Sequence, residues 1–134
     1  MSAELLTQNH HRRLMMDKIE LYRDGSGGHC LLEVVSAPFS ASFSFYFDNP
    51  PFTEFVRCLE TIHRTLAGEA RLGNNHEDPY ISFRGDGRGH ITVSGLLVVY
   101  DEHSQKLAFS FESDQTSLPS FISDLRKVFE SPAA

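Results

Sequence analysis

Seven histidines, two cysteines and a glycine-rich run are the parts of this 134-residue sequence that could do chemistry. Histidines that share a metal need a spacing of about four on a helix or two on a strand, so that both rings point one way. His10 and His11 are adjacent instead, and His29, His63, His90 and His103 fall in different elements. His76-Glu77-Asp78 is the densest group, but it sits in a polar loop with no third element to complete a coordination shell. It suits adventitious ion binding, and no metal site is expected. His63, four positions after Leu59, reads as a residue at the edge of an apolar stripe rather than as a base.

Arg84-Gly85-Asp86-Gly87-Arg88-Gly89-His90 has the look of a phosphate cradle. Such a cradle needs its glycines to lead into a helix N-terminus, where free amides face the anion. Here they lead into an alternating, strand-like segment, so a hairpin turn accounts for them. Ser26 in Asp24-Gly25-Ser26-Gly27-Gly28 lacks the spacing of a nucleophile elbow. Cys58 falls inside a helical pattern and not at its N-terminus, where a thiolate would be stabilised. With Cys30 it makes too few cysteines for a disulfide scaffold, and both read as reduced, buried thiols. Asp114-Gln115-Thr116 stands where a strand turns into a helix, a position that rewards an acid and a capping hydroxyl. No catalytic residue and no cofactor are expected.

The elements that would position these groups follow from hydropathy period. Residues 1–13 show no period and read as a frayed start. Leu14–Tyr22 and His29–Val35 read as a hairpin around the glycine turn. In Phe39-Ser40-Ala41-Ser42-Phe43-Ser44-Phe45-Tyr46-Phe47 every odd position is apolar and every even one carries a hydroxyl, which predicts one phenylalanine face. Phe52, Phe55, Val56, Leu59, Ile62 and Leu66 form a helical stripe, started by Pro50-Pro51 and stopped by Gly68. Strands are expected around Glu69–Leu72, at Tyr80–Arg84, at His90–Tyr100 with a bulge or bend at Gly95, and at Lys106–Glu112. Leu118, Phe121, Ile122, Leu125, Val128 and Phe129 form a second stripe, capped by Thr116 or Ser117. The expectation is one α+β domain over residues 1–134. It has an antiparallel curved sheet of about 6–7 strands with both helices on one face, in the order βββα-βββ(β)-α. Strands followed by a helix occur twice, without enough identity to claim a repeat.

Composition narrows the function classes. Hydrophobic residues make up 40% and charged residues 22%, as in ordinary globular proteins. No run approaches the roughly 18 apolar residues of a membrane span, and no secretory signal opens the chain, so a cytoplasmic protein is expected. Eighteen acids against twelve bases give a net charge of −6, which disfavours direct nucleic-acid binding and suits a basic protein partner.

Gly85-Asp86-Gly87-Arg88-Gly89-His90-Ile91, with Val93 and Gly95 beyond it, is followed by a strand carrying Phe109 and Phe111 and by Asp114-Gln115-Thr116-Ser117-Leu118-Pro119. This stretch, Tyr80 to Phe129, resembles the WapI-type immunity proteins. The phenylalanine strand, the Pro-Phe helix start and Gly68-Glu69-Ala70 agree in order. The resemblance implies a small bacterial cytoplasmic binder, without a catalytic step, that protects the cell by occluding a secreted contact-dependent toxin, often a nuclease. Acids outnumber bases ten to six from Glu69 onward. The acidic loops at Glu77-Asp78 and Asp101-Glu102 are therefore the expected contact surface for a basic toxin. The alternative is a small-molecule or metal-binding domain with a pocket enclosed beneath the helices.

Overall fold

The computed structural model describes residues 1–7, 11–74 and 79–130. Among these, the strands are β1 (Ala3–Leu5), β2 (Arg12–Leu21), β3 (Gly28–Ser36), β4 (Phe39–Phe47), β5 (Ala67–Gly73), β6 (Tyr80–Asp86), β7 (His90–Val99) and β8 (Gln105–Asp114). Helix α1 spans Phe52–Thr65, and α2 spans Leu118–Glu130 behind a single 3₁₀ turn. The chain is α+β and its strand pairing is antiparallel, as the glycine turns require. The single sheet is not found. The strands form two four-stranded meanders, β1-β2-β3-β4 and β5-β6-β7-β8, and each is followed by one helix. Alternation in a sequence says which face a residue takes, not which strands share a ladder. Here α1 intervenes between β4 and β5, and the two sheets touch through an isolated bridge between Asn49 and Gly73.

The segment expected to fray carries β1 instead. Its three residues pair with Leu14–Met16, and Ala3 and Leu5 are buried beneath α2. β2 contains the irregularity that was expected at Gly95. Its register with β3 shifts between Asp17 and Glu20, and Lys18 takes a left-handed backbone with φ 51°. The shift exchanges the phase of alternation, so that Leu14 and Met16 face inward before it and Ile19 after it. A left-handed non-glycine residue costs about 1–2 kcal/mol, and burying Ile19 offsets this. Around Gly95, by contrast, the β7 register is unbroken on both sides. Glycine is needed there for space: a Cβ would stand 2.6 Å from the Tyr80 carbonyl and 2.7 Å from the Phe109 ring.

The helices do not share one sheet face. α1 follows the first sheet and packs on β5, the first strand of the second. α2 follows the second sheet and packs on β1, the first strand of the first. The two helices also touch each other. Between them runs a chain of rings: Phe47 to Phe52 at 5.6 Å, Phe52 to Phe55 at 6.3 Å, Phe55 to Phe83 at 5.9 Å and Phe83 to Phe121 at 5.6 Å. It ties both sheets and both helices into one core. The expected phenylalanine face of β4 is only half realised: Phe45 and Phe47 are buried, Phe43 is partly buried, and Phe39 is 63% exposed.

Local ends differ from expectation in two places. α1 stops because Leu66 adopts the left-handed conformation, with its amide donating to the Ile62 carbonyl, whereas Gly68 lies within β5. The turn ahead of α2 is capped by Asp114, whose carboxylate accepts from the amide and the hydroxyl of Thr116. The acid is the cap. The hydroxyls of Thr116 and Ser117 are held by it and by the Asp114 carbonyl.

Candidate functional site

The motif residues prove to be structural. Asp86 closes the β6–β7 hairpin, accepting from the amides of Arg88 at 2.7 Å and His90 at 3.2 Å, with the His90 ring 3.0 Å away. The Arg88 amide, and to a lesser extent His90, hold the Asp86 carboxyl below its ordinary value. Gly87 and Gly89 supply the positive φ that this turn needs. His90 pairs in register with Asp114, and the Gln115 amide donates to the Gly89 carbonyl. The two sequence motifs are therefore neighbours, fastening one end of the second sheet. No phosphate cradle is formed.

The candidate catalytic groups are likewise dispersed. Among the described residues, no three His, Cys, Asp or Glu side chains converge on one point. His76-Glu77-Asp78 lies outside the described residues. Burial, with a smaller contribution from the Asp17 carboxylate, pushes the Cys30 thiol up to about 12 and leaves it inert. Cys58 is half-buried and His63 is exposed, outside the core boundary expected for it. On the second sheet, the Arg84 guanidinium lowers the Glu69 carboxyl from its ordinary range, with help from the Ser82 hydroxyl, and Arg71 lies 3.9 Å over the Tyr80 ring.

The feature left without a structural role lies at the far end of β7. An open groove of about 600 Å³ separates the free side of β4 from the β7 terminus. Ser42, Phe43, Ser44 and Tyr46 form one wall, and Val98, Val99 and Tyr100 form the other. Asn74 and Pro79 close one end. Among the described residues, the lining holds no carboxylate, imidazole or ammonium group. Tyr46 and Tyr100 are 59% and 71% exposed, and Val99 is 41% exposed.

A second, smaller hollow of about 240 Å³ shares Ser44 and Tyr46 with the groove. It lies on the outer face of the first sheet, where Glu20, His29 and Tyr46 stand in register across three strands. Glu20 and His29 are 3.2 Å apart, and the His29 ring is 5.4 Å from Tyr46 and 6.1 Å from Tyr22. The bulge at Lys18 makes this row possible, because it turns Glu20 outward while Ile19 turns in.

Of the four acids expected at a contact surface, Asp101 and Glu102 fall among the described residues, next to the groove residue Tyr100. Asp101 and Glu102 directly follow Tyr100 and are exposed; the Asp101 carboxylate also accepts from the His103 amide at 2.8 Å, shaping its own turn. Glu77 and Asp78 lie outside the described residues, between Asn74 and Pro79 in sequence. Reading the loops for charge missed the aromatic residues beside them. Two signals pointed there: Tyr46 is the one ring in the hydroxyl row of β4, and Tyr100 stands at the mouth of a polar turn.

The sequence model of the Immunity protein WapI-like family matches residues 15–132, from β2 to beyond the end of α2. The chain belongs to the WapI-like immunity protein family. No curated protein and no solved structure matches it. The match takes in most of β2, all of β3 to β8 and both helices of this WapI-like chain, and leaves out β1 and the first residues of β2, so it extends well beyond the hairpin motifs. No helix among its described residues is long and apolar enough to cross a membrane.

Proposed function

We propose that this chain is a non-catalytic immunity protein that binds a cognate secreted toxin domain and neutralises it by occlusion. The observation that supports this most is the groove between β4 and the end of β7, lined by Phe43, Tyr46, Val99 and Tyr100, on a WapI-like chain. Exposed apolar concavities mark interaction sites, and tyrosines are preferred anchors because one end of the ring is apolar and the other hydrogen-bonds. Tyr46 and Tyr100 are the anchors in this reading. Asp101 and Glu102, which follow Tyr100, and Glu77 and Asp78, which lie between Asn74 and Pro79 in sequence, are the acidic contacts in this reading.

A net charge of −6 suits a basic toxin such as a nuclease, since unlike charge speeds encounter and steers orientation. In this reading the protein acts in the cytoplasm and touches neither nucleic acid nor membrane itself. The interior beneath the helices is filled by the phenylalanine chain, which leaves the enclosed ligand pocket of the alternative reading without support.

Co-expression with the toxin encoded in the adjacent reading frame tests the proposal. The wild-type chain is expected to rescue growth at a one-to-one ratio. Tyr100→Ala should weaken the complex by about 30-fold or more, as loss of an interface anchor does, with unchanged thermal stability. Absence of rescue by the wild type would dismiss the immunity reading. Full binding by a variant combining Tyr100→Ala with Asp101→Lys and Glu102→Lys would dismiss the groove.

A further inference from the structure

Among the described residues, the two open sheets leave four free edges, and three of them are guarded. An unguarded edge strand invites pairing, because every second residue turns its N–H and C=O away from its neighbour. β1 is only three residues long. β5 carries Glu69 and Arg71 and packs against α1. β8 carries Lys106 and Glu112. β4 differs on every count: its nine residues, Phe39–Phe47, include no charge and no proline. Its register with β3 runs unbroken from Gly28 opposite Phe47 to Ser36 opposite Phe39, so no bulge twists the edge away. Past Phe47 the edge is closed, since the amides of Asp48 and Asn49 donate to the Gly73 carbonyl.

The groove described above runs alongside this edge. Its far wall, Val98-Val99-Tyr100, stands across from Ser42–Tyr46, and Phe39, at the start of β4, is exposed. We infer that the free edge of β4 receives an extended strand of the cognate toxin, which adds to the first sheet as a fifth strand and lays alternate apolar side chains into the groove. This rests on the toxin-binding reading and specifies its geometry.

Charge selects the occupant. Among the described residues the groove lining is uncharged, while Asp48, Asp101 and Glu102 are exposed at its margins, opposed by Lys106, the register neighbour of Val98. A strand flanked by Lys or Arg meets unlike charge there. A second copy of this chain, itself at −6, would bring the same acids and meet like charge. The occupant is therefore a basic partner's strand and not another β4.

Hydrogen–deuterium exchange of the full-length protein, free and saturated with the purified toxin domain from the adjacent reading frame, tests this directly. Alternate amides within Phe39–Phe47 are expected to slow by about tenfold or more on complex formation, since only a new hydrogen bond protects an edge amide. Ser44→Lys places a solvent-facing charge on the edge without touching the core, and is expected to weaken binding by about tenfold or more. A complex that forms with unchanged exchange along β4 overturns the inference and leaves toxin binding intact. Failure of the toxin domain to bind at all overturns both. Concentration-dependent dimers of the free protein with β4 already protected, and unaffected by toxin, would assign the edge to self-association and overturn it as well.

Discussion

Asp86 and Asp114 do the same work at two corners of the second sheet: each carboxylate takes amides that a tight turn would otherwise leave unpaired. The glycines and the Asp114-Gln115-Thr116 run mark both turns in the sequence, but pattern alone assigns the hairpin to its glycines and the cap to Thr116 or Ser117, not to the two carboxylates. Asp86 also carries a pH prediction. Its folded carboxyl titrates below the ordinary 3.8, because the Arg88 amide, then His90, favours the anion. A depressed acid contributes stability that is complete above the unfolded value and is lost as pH falls through the folded one. Asp86→Asn removes that titration. The melting-temperature gap between wild type and variant is expected to narrow as pH falls below the unfolded carboxylate range. A gap that holds steady through the acid limb would show that the turn does not depend on the charge. Cys30, buried and raised to about 12, offers no comparable handle.

Elements with a long, regular period were legible, and short or broken ones were not. The nine alternating residues of β4 and the two helical stripes gave their bounds almost unaided, since burial on one face repeats enough times to be seen. β1 has three residues, too few to show any period, and β2 changes phase at Lys18, so neither could be read fully from pattern. Yet β1 matters. Ala3 and Leu5 are buried against α2, and the Met1 carbonyl accepts from the Ile19 amide just past the bulge. Deleting residues 1–6 is expected to cost at least about 2 kcal/mol, since burying a single leucine contributes about 1.5–3 kcal/mol. Urea denaturation measures it. A truncated protein with the wild-type midpoint would mean that the segment behaves as the loose tail its composition suggests.

At the scale of the whole molecule, the reciprocal packing of each helix on the opposite sheet sets what the chain can do. The groove exists only where the halves meet, with Ser42–Tyr46 contributed by the first meander and Val98–Tyr100 by the second. Local pattern marks Tyr46 and Tyr100 singly but cannot join them, because the walls are distant in sequence and are brought together by the shared core. The same core is expected to make one cooperative unit of the two halves. Phe47 from the first half and Phe121 from the second are linked through Phe52, Phe55 and Phe83, so neither half can keep its interior while the other opens. Phe47→Ala and Phe121→Ala should each lower stability by about 3–5 kcal/mol, the usual cost of truncating a buried ring. Both should move one common transition rather than one of two. Calorimetry distinguishes the cases: equal calorimetric and van't Hoff enthalpies in wild type and both variants are expected. A split endotherm, in which each substitution displaces only the component of its own half, would mean that the halves fold separately and that the groove between them is an accident of contact.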